Sequence, residues 1–366
     1  MRTLISLTKS IAVLICILAF LNNCKKEKVK VTDIPKVDKT IDTTGTVYAA
    51  GYRTSANLKK VALYWREKSK VILCDSANNS EATDIEILNS VVHVCGYRST
   101  GSKQLAVYWN NKVETILSSA LNDASATSLA LSGSDIYVTG YETNGNNIME
   151  AKYWKNGLAI TLTDGKLNAS ANAITVIGTD VYVAGYEYNN AGVQVAKYWK
   201  NGAAVTLSDG TINTSANSIA VGGSDVHIAG ASYDAGSRTY TTKYWKNTDV
   251  TDLNSGSSGV ANLDIYGNAV FLNNGNVYVG GNSVSGANST KPTYWKNGTA
   301  FVNFSSASYF HQVTSIYVLG GKVYLGGFGN YFGNGPNLGM VWTAGAWRGM
   351  EFSSAVTKVN SLYVVN

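Results

Sequence analysis

Proline, charge, histidine and cysteine are all scarce in this 366-residue chain: 3 Pro, 15% charged residues, 3 His and 4 Cys. Three scattered histidines with no metal-ligand spacing give no support to a zinc site or a Ser-His-Asp triad, so neither a metal nor a cofactor is expected. The charged fraction is well under the usual value of about 25%, yet 45% of the residues are hydrophobic, which excludes a disordered chain. The apolar run Ile11–Leu21 is eleven residues, against the roughly 20 that a helix needs to cross a bilayer. The formal net charge is +6, but little of it belongs to the body. Residues 1–23 hold Arg2 and Lys9 and no acid, and residues 24–43 hold six lysines against four acids, which leaves +2 for the remaining 323 residues. A body so close to neutral has no electrostatic footprint for nucleic acid. What is plentiful is glycine (36), tyrosine (23) and tryptophan (8), with Asn, Ser and Thr supplying the polar surface. That mixture favours strands and tight turns, and an exported all-β protein is the first expectation. Length alone would give two to three domains at about 150 residues each.

The basic segment Met1–Lys9 followed by the short apolar run reads as a signal peptide over 1–23. Leu21-Asn22-Asn23-Cys24 comes next, and it resembles the lipobox of bacterial lipoproteins, with a CKK-type tether similar to that of Bacteroidetes lipoproteins. The resemblance implies that Cys24 carries a lipid and that the protein sits on the bacterial outer membrane, facing either the periplasm or the outside. An uncleaved signal anchor, or ordinary cleavage leaving Cys24 as a free thiol, is the alternative. Residues 24–43 are polar, charged and aperiodic, as a flexible tether would be. Cys16 leaves with the signal, so only Cys74 and Cys95 remain in the body, either as a disulfide or as two packed thiols.

Residues 44–366 are a repeat. A marker Trp recurs at 65, 109, 154, 199, 245, 295 and 342, and a Gly that ends an apolar stretch recurs at 51, 96, 140, 185, 230, 281 and 327. Each copy of about 45 residues holds four alternating stretches, in one copy a (Ala173–Ile177), b (Val181–Tyr186), c (Val193–Trp199) and d (Ala204–Leu207). Short Gly-containing a–b turns and Lys-Asn-Gly c–d turns must share one edge, and the longer b–c (187–192) and d–a (208–216) links emerge at the other. One four-stranded sheet cannot bury both of its faces, so the copies must stack, and seven of them close into a seven-bladed β-propeller. The marker Trp and the Gly-terminated strand b resemble kelch-type propellers, and Trp154-Lys155-Asn156-Gly157 is similar to the Trp-x-x-Gly core of bacterial extracellular repeats of the HAF type. The first copy starts at strand b, so Ala355–Val359 should supply its strand a. That leaves Leu362–Val365 unplaced, and an eighth partial blade or an open solenoid would accommodate it.

The recurrent Trp, needed identically by every blade, is expected to pack between blades. His93 and His227 stand where other copies have Tyr137 and Tyr182, and are expected to pack in the same way. Asp164-Gly165 and Asp209-Gly210 read as turns, because one Asp per copy is too few for calcium. The position after the recurrent Gly holds Tyr52, Tyr97, Tyr141, Tyr186, Ala231, Asn282 and Phe328, and the next holds Arg53, Arg98, Glu142, Glu187, Ser232, Ser283 and Gly329. Seven-fold placement would make these a ring at the long-loop edge, able to stack on sugars or peptide side chains. Alternatively, the tyrosines pack between blades and the charges pair. Copies six and seven depart most from the repeat, and the segment 328–338, with Phe328, Tyr331 and Phe332, is a further candidate. The expected function is a monomeric, lipid-anchored, non-catalytic module binding a glycan or a protein through its long-loop face. A carbohydrate-active hydrolase or lyase using Glu142 and Glu187, or a passive adhesive surface protein, is the alternative.

Overall fold

The computed structural model describes residues 45–237, 239–254, 269–284, 290–301, 311–329, 337–343, 346–350 and 355–366. These residues form seven four-stranded antiparallel sheets. Six blades run a-b-c-d in chain order, as in blade 4: a (Ala169–Ile177), b (Asp180–Tyr188), c (Gln194–Lys200) and d (Ala203–Thr206). Blade 1 is completed from the far end of the chain. Thr357–Val365 pairs antiparallel with Thr46–Thr54 and supplies the inner strand. The fold is the seven-bladed β-propeller that the repeat predicts, and the sequence-based accounting of its last strand is corrected. Leu362–Val365 is the second half of strand a of blade 1, continuous with Thr357, and among the described residues there is no eighth blade.

The error has a physical cause. Strand a is nine residues long and broken by a bulge, and its first half (Ala169-Ser170-Ala171 in blade 4) is too small and polar to read as a strand. The unpaired bulge residue is Asn360, Thr83, Thr127, Asn172, Asn217 and Thr314 in blades 1, 2, 3, 4, 5 and 7. Five of these side chains reach a backbone carbonyl of the next blade. Thr83 donates to Ala126 O (3.0 Å), Thr127 to Ala171 O (2.7 Å) and Asn172 to Ala216 O (3.0 Å). Thr314 donates to Val359 O (2.9 Å) and Asn360 to Ala82 O (2.8 Å), which carries the latch across the closure between blades 7, 1 and 2.

The same bulge explains the recurrent glycine. A Cβ on Gly96, Gly140, Gly185 or Gly230 would lie 1.9–2.0 Å from a strand-a carbonyl oxygen, so only glycine fits opposite the bulge. That glycine is internal to strand b and does not end it, because pairing continues through Tyr186↔Ala196 to Tyr188↔Gln194. Outside the ring axis, each marker Trp is buried to 2% exposure or less against the preceding blade. Trp109 packs with Ala50 and Ala62 of blade 1, and Trp65 packs with Tyr324 and Val341 of blade 7. At the short-turn edge, Asn201 (φ 51°) and Gly202 (φ 83°) make the c–d hairpin of blade 4. The Asn201 amide accepts from Val181 N (2.9 Å) and donates to Asp180 (2.9 Å), clasping the two turns of that edge together. Cys74 and Cys95 are free thiols, and Cys95 is buried beside the Thr83 hydroxyl (3.4 Å). The proposed signal, tether and lipidated Cys24 lie outside the described residues.

Candidate functional site

The residues that follow the recurrent glycine lie on strand b, hydrogen-bonded to strand c, and not at the mouth of a loop as the sequence reading places them. Strand b runs on past the glycine because strand c begins early enough to pair with it. Each of these tyrosines therefore stands at the outer end of a wedge between two blades. In the wedge between blades 1 and 2, Lys60 Nζ sits 4.5 Å from the Tyr52 ring centroid and 2.7 Å from Glu81 Oε2, and the Tyr97 hydroxyl donates to that same carboxylate oxygen (3.1 Å). Burial works against ionisation of Glu81, but Lys358 and Lys60 outweigh it and hold its carboxyl below the usual range. Burial together with Glu81 pushes the Tyr97 phenol up to about 12. This wedge is filled. Between blades 2 and 3, Tyr141 lies near Gln104 of the preceding blade, and between blades 3 and 4 Tyr186 lies near Tyr141.

Blade 5 breaks the series. The residue equivalent to Tyr97, Tyr141 and Tyr186 is Ala231, whereas the one equivalent to Glu81 is a serine in blades 3, 4 and 5 alike (Ser125, Ser170 and Ser215). With alanine in place of the tyrosine, the wedge between blades 4 and 5 holds a cavity of about 500 Å³. Its aromatic walls are Tyr186, Tyr233 and Tyr240, the last two with ring centroids 4.4 Å apart. Its polar lining is Gln194, Asn172, Asn213 and Asn217 with Ser215 and Ser232, and no Lys, Arg, Asp or Glu is among the described lining residues. Burial, with Tyr188 and Tyr141 close by, pushes the Tyr186 phenol up to about 12, so its hydroxyl stays a donor. Gln194 Nε2 donates to the Tyr188 hydroxyl (3.1 Å), and Asn213 Oδ1 accepts from Gln194 N (2.9 Å), so these amides are oriented before any ligand arrives.

The structure thus brings one predicted aromatic, Tyr186, into an open site, while Tyr52 and Tyr97 fill closed wedges. Phe328 is buried, with Lys358 Nζ 5.2 Å from its ring, and Tyr331 and Phe332 lie outside the described residues. The charged row is paired within blades and does not form a two-signed ring. Arg98 bonds Glu114 (2.6 Å), Glu142 bonds Lys152 (3.1 Å) and Ser119 N (2.8 Å), and Glu187 bonds Lys197. Arg53 stands half-buried on strand b of blade 1. His93 and His227 bond the hydroxyls of Tyr108 (2.6 Å) and Tyr244 (2.7 Å), as packing residues do. Sequence reasoning missed Tyr233 and Tyr240. The signal that would have found the site was the interruption of the aromatic series at Ala231.

On the ring axis, the inner strands line a channel with a cavity of about 420 Å³. Asp84 lies in its wall, where its carboxylate accepts from Ser361 Oγ (2.6 Å), Ser128 Oγ (2.8 Å) and Leu129 N (2.9 Å) and so ties blades 1, 2 and 3 together. Glu86 follows on the same strand, and burial together with the neighbouring Asp84 pushes its carboxyl up to about 8.

No family model matches this sequence, and no curated protein matches it. Solved structures do. A puromycin-hydrolyzing peptidase of Mycobacterium tuberculosis superposes with a TM-score of 0.55 at 11% identity, over 83% of this chain and 52% of that one. The acylaminoacyl peptidase of Pyrococcus horikoshii gives 0.50 at 10%, over 84% and 51%. The β-propeller domain of the Trilobed protease from Pyrococcus furiosus, which has an open velcro topology, gives 0.50 at 9%, over 84% and 95%. What these likenesses show is the fold. The chain spans about half the length of the two peptidases, and in its own ring Thr357–Val365 completes blade 1.

Proposed function

We propose that this propeller is a non-catalytic binding module for a neutral glycan, held in the wedge between blades 4 and 5, and that a lipid on Cys24 carries it on the bacterial outer membrane. The observation that carries the reading is Ala231, which stands where blades 1 to 4 carry a tyrosine and borders a cavity of about 500 Å³. Aromatic faces stack on the C–H faces of sugar rings, and oriented amides and hydroxyls exchange hydrogen bonds with sugar hydroxyls. A charged ligand would find no counter-ion among the described lining residues. Hydrolysis of a glycosidic bond asks for two carboxylates in unlike environments. Glu142 and Glu187 hold equivalent repeat positions, each paired to a lysine of its own blade, which supports binding over hydrolysis.

The test is a glycan array probed with the full chain and with a Tyr186→Ala/Tyr240→Ala variant. Neutral glycans should be captured by the parent and released by the variant, with the thermal midpoint of the two within a few degrees. Capture that survives the double substitution would remove the wedge from the account. Glycan turnover that disappears in Glu142→Gln or Glu187→Gln would replace binding by catalysis. The anchor has its own readout: Cys24→Ala should move the protein from the membrane fraction to the soluble one.

A further inference from the structure

We infer that the central channel binds an organic cation, an alkyl or quaternary ammonium group, against an arc of three aromatic rings that ends in the carboxyl of Glu86. This site is separate from the blade 4–5 wedge and does not depend on the glycan reading.

One position of the inner strand carries the inference. Paired opposite a Tyr or His of strand b, it holds Phe271, Tyr317, Tyr363 and Glu86 in blades 6, 7, 1 and 2, but Ala130, Thr175 and Ala220 in blades 3, 4 and 5. The bulky half of the ring is continuous. Phe271 and Tyr317 have centroids 4.7 Å apart with planes at 48°, and Tyr317 and Tyr363 have centroids 5.0 Å apart at 50°, so successive rings adjoin as tilted walls and not as a flat stack. All three rings and Glu86 line the channel cavity of about 420 Å³, which is the size of a small-molecule site.

Two carboxyls, Asp84 and Glu86, and no Lys, Arg or His are among the described lining residues. Asp84 is already committed to the fold: Oδ1 accepts from Ile85 N (2.9 Å) and Ser361 Oγ (2.6 Å), and Oδ2 from Leu129 N (2.9 Å) and Ser128 Oγ (2.8 Å). Glu86 lies beside Tyr317, and burial together with Asp84 holds its carboxyl at about 8. A cation against the electron-rich ring faces supplies the counter-charge, so Glu86 passes its proton to solvent and pairs with the ligand. Burial, with Tyr363 and Glu86 close by, pushes the Tyr317 phenol up, so that ring stays neutral. The other ionisable groups around Glu86 are Tyr363 and His93, the latter opposite it on strand b and bonded to the Tyr108 hydroxyl; the inner strand of blade 3 carries Leu129, Ala130 and Leu131 there. Ring faces with one carboxylate suit an ammonium sheathed in methyl or methylene groups, whereas calcium takes six to eight oxygens.

The experiment is a calorimetric titration of the full chain with tetramethylammonium, choline and butylammonium, and with the alcohol in which carbon replaces the choline nitrogen. At least one cation should bind, and the uncharged alcohol should bind at least about tenfold more weakly than choline. Affinity for the cation should rise about tenfold from pH 6 to pH 8, because the proton that Glu86 must release becomes easier to lose. Glu86→Gln should lower the affinity by about tenfold and flatten that pH dependence. Tyr363→Leu should weaken cation binding as well, with a thermal melt to check the fold; if it does not fold, Glu86→Gln and the alcohol decide. No heat with any of the three cations, the alcohol binding as tightly as choline, or cation affinity unchanged in Glu86→Gln overturns the inference.

Discussion

A methyl group on Gly140 would sit 1.9 Å from the carbonyl oxygen of Ser125, closer than any real contact allows, and the same collision repeats at Gly96, Gly185 and Gly230. Gly140→Ala should therefore destabilise the ring by about 3 kcal/mol, because either the bulge or strand b must shift; urea unfolding that moved by less than about 0.5 kcal/mol would contradict the bulge as the reason for the glycine. The recurrence of this residue was visible in the sequence, but its reason was not, since the bulge residue, Thr127 for Gly140, lies on another strand. Glu86 gives a residue-scale prediction in pH. Its carboxyl is held at about 8 by burial and by Asp84, against an ordinary 4.5. As pH rises from about 4.5 to 8, the unfolded chain loses this proton while the folded ring still keeps it, so stability falls through that window. Glu86→Gln should flatten that slope in melts taken at pH 5 and pH 8, and an unchanged slope would place the titrating group elsewhere.

Strands show how far sequence patterning reaches at the scale of elements. Strands b and c were legible because Tyr182, Ala184, Tyr198 and Trp199 sit in a strict alternation fixed by two packed faces. The first half of strand a was not, because Ala169, Ser170 and Ala171, although buried, are small and show no apolar alternation. The same blindness left Leu362–Val365 without a place, although Asn360 before it is the bulge that latches onto Ala82. The turn clasps, by contrast, follow from Asn-Gly chemistry. Asn201→Ala removes two hydrogen bonds, to Val181 N and Asp180, together with a residue suited to φ of 51°, and should cost about 1–2 kcal/mol in a denaturant melt. A neutral substitution would show that the short-turn edge is held by strand pairing alone.

Over the whole molecule, near-identical blades make a ring whose wedges differ chiefly in what fills them, and the proposed function belongs to the wedge between blades 4 and 5. The sequence carried that information as a broken aromatic series. It was hard to see because attention falls on the aromatic positions, whereas the open site is made by the position that lost its ring. The segment 328–338 is unusual in composition, yet the proposed site lies in the wedge between blades 4 and 5, where Ala231 stands in place of a tyrosine. Likeness to propeller peptidases at 9–11% identity fixes the architecture and leaves chemistry to these local differences. Restoring the missing ring tests the account most directly. In Ala231→Tyr the wedge should fill as its neighbours do, so glycan capture should be lost while the thermal midpoint stays level or rises. An Ala231→Tyr protein that still captures the same glycans as the parent would contradict the assignment of the site.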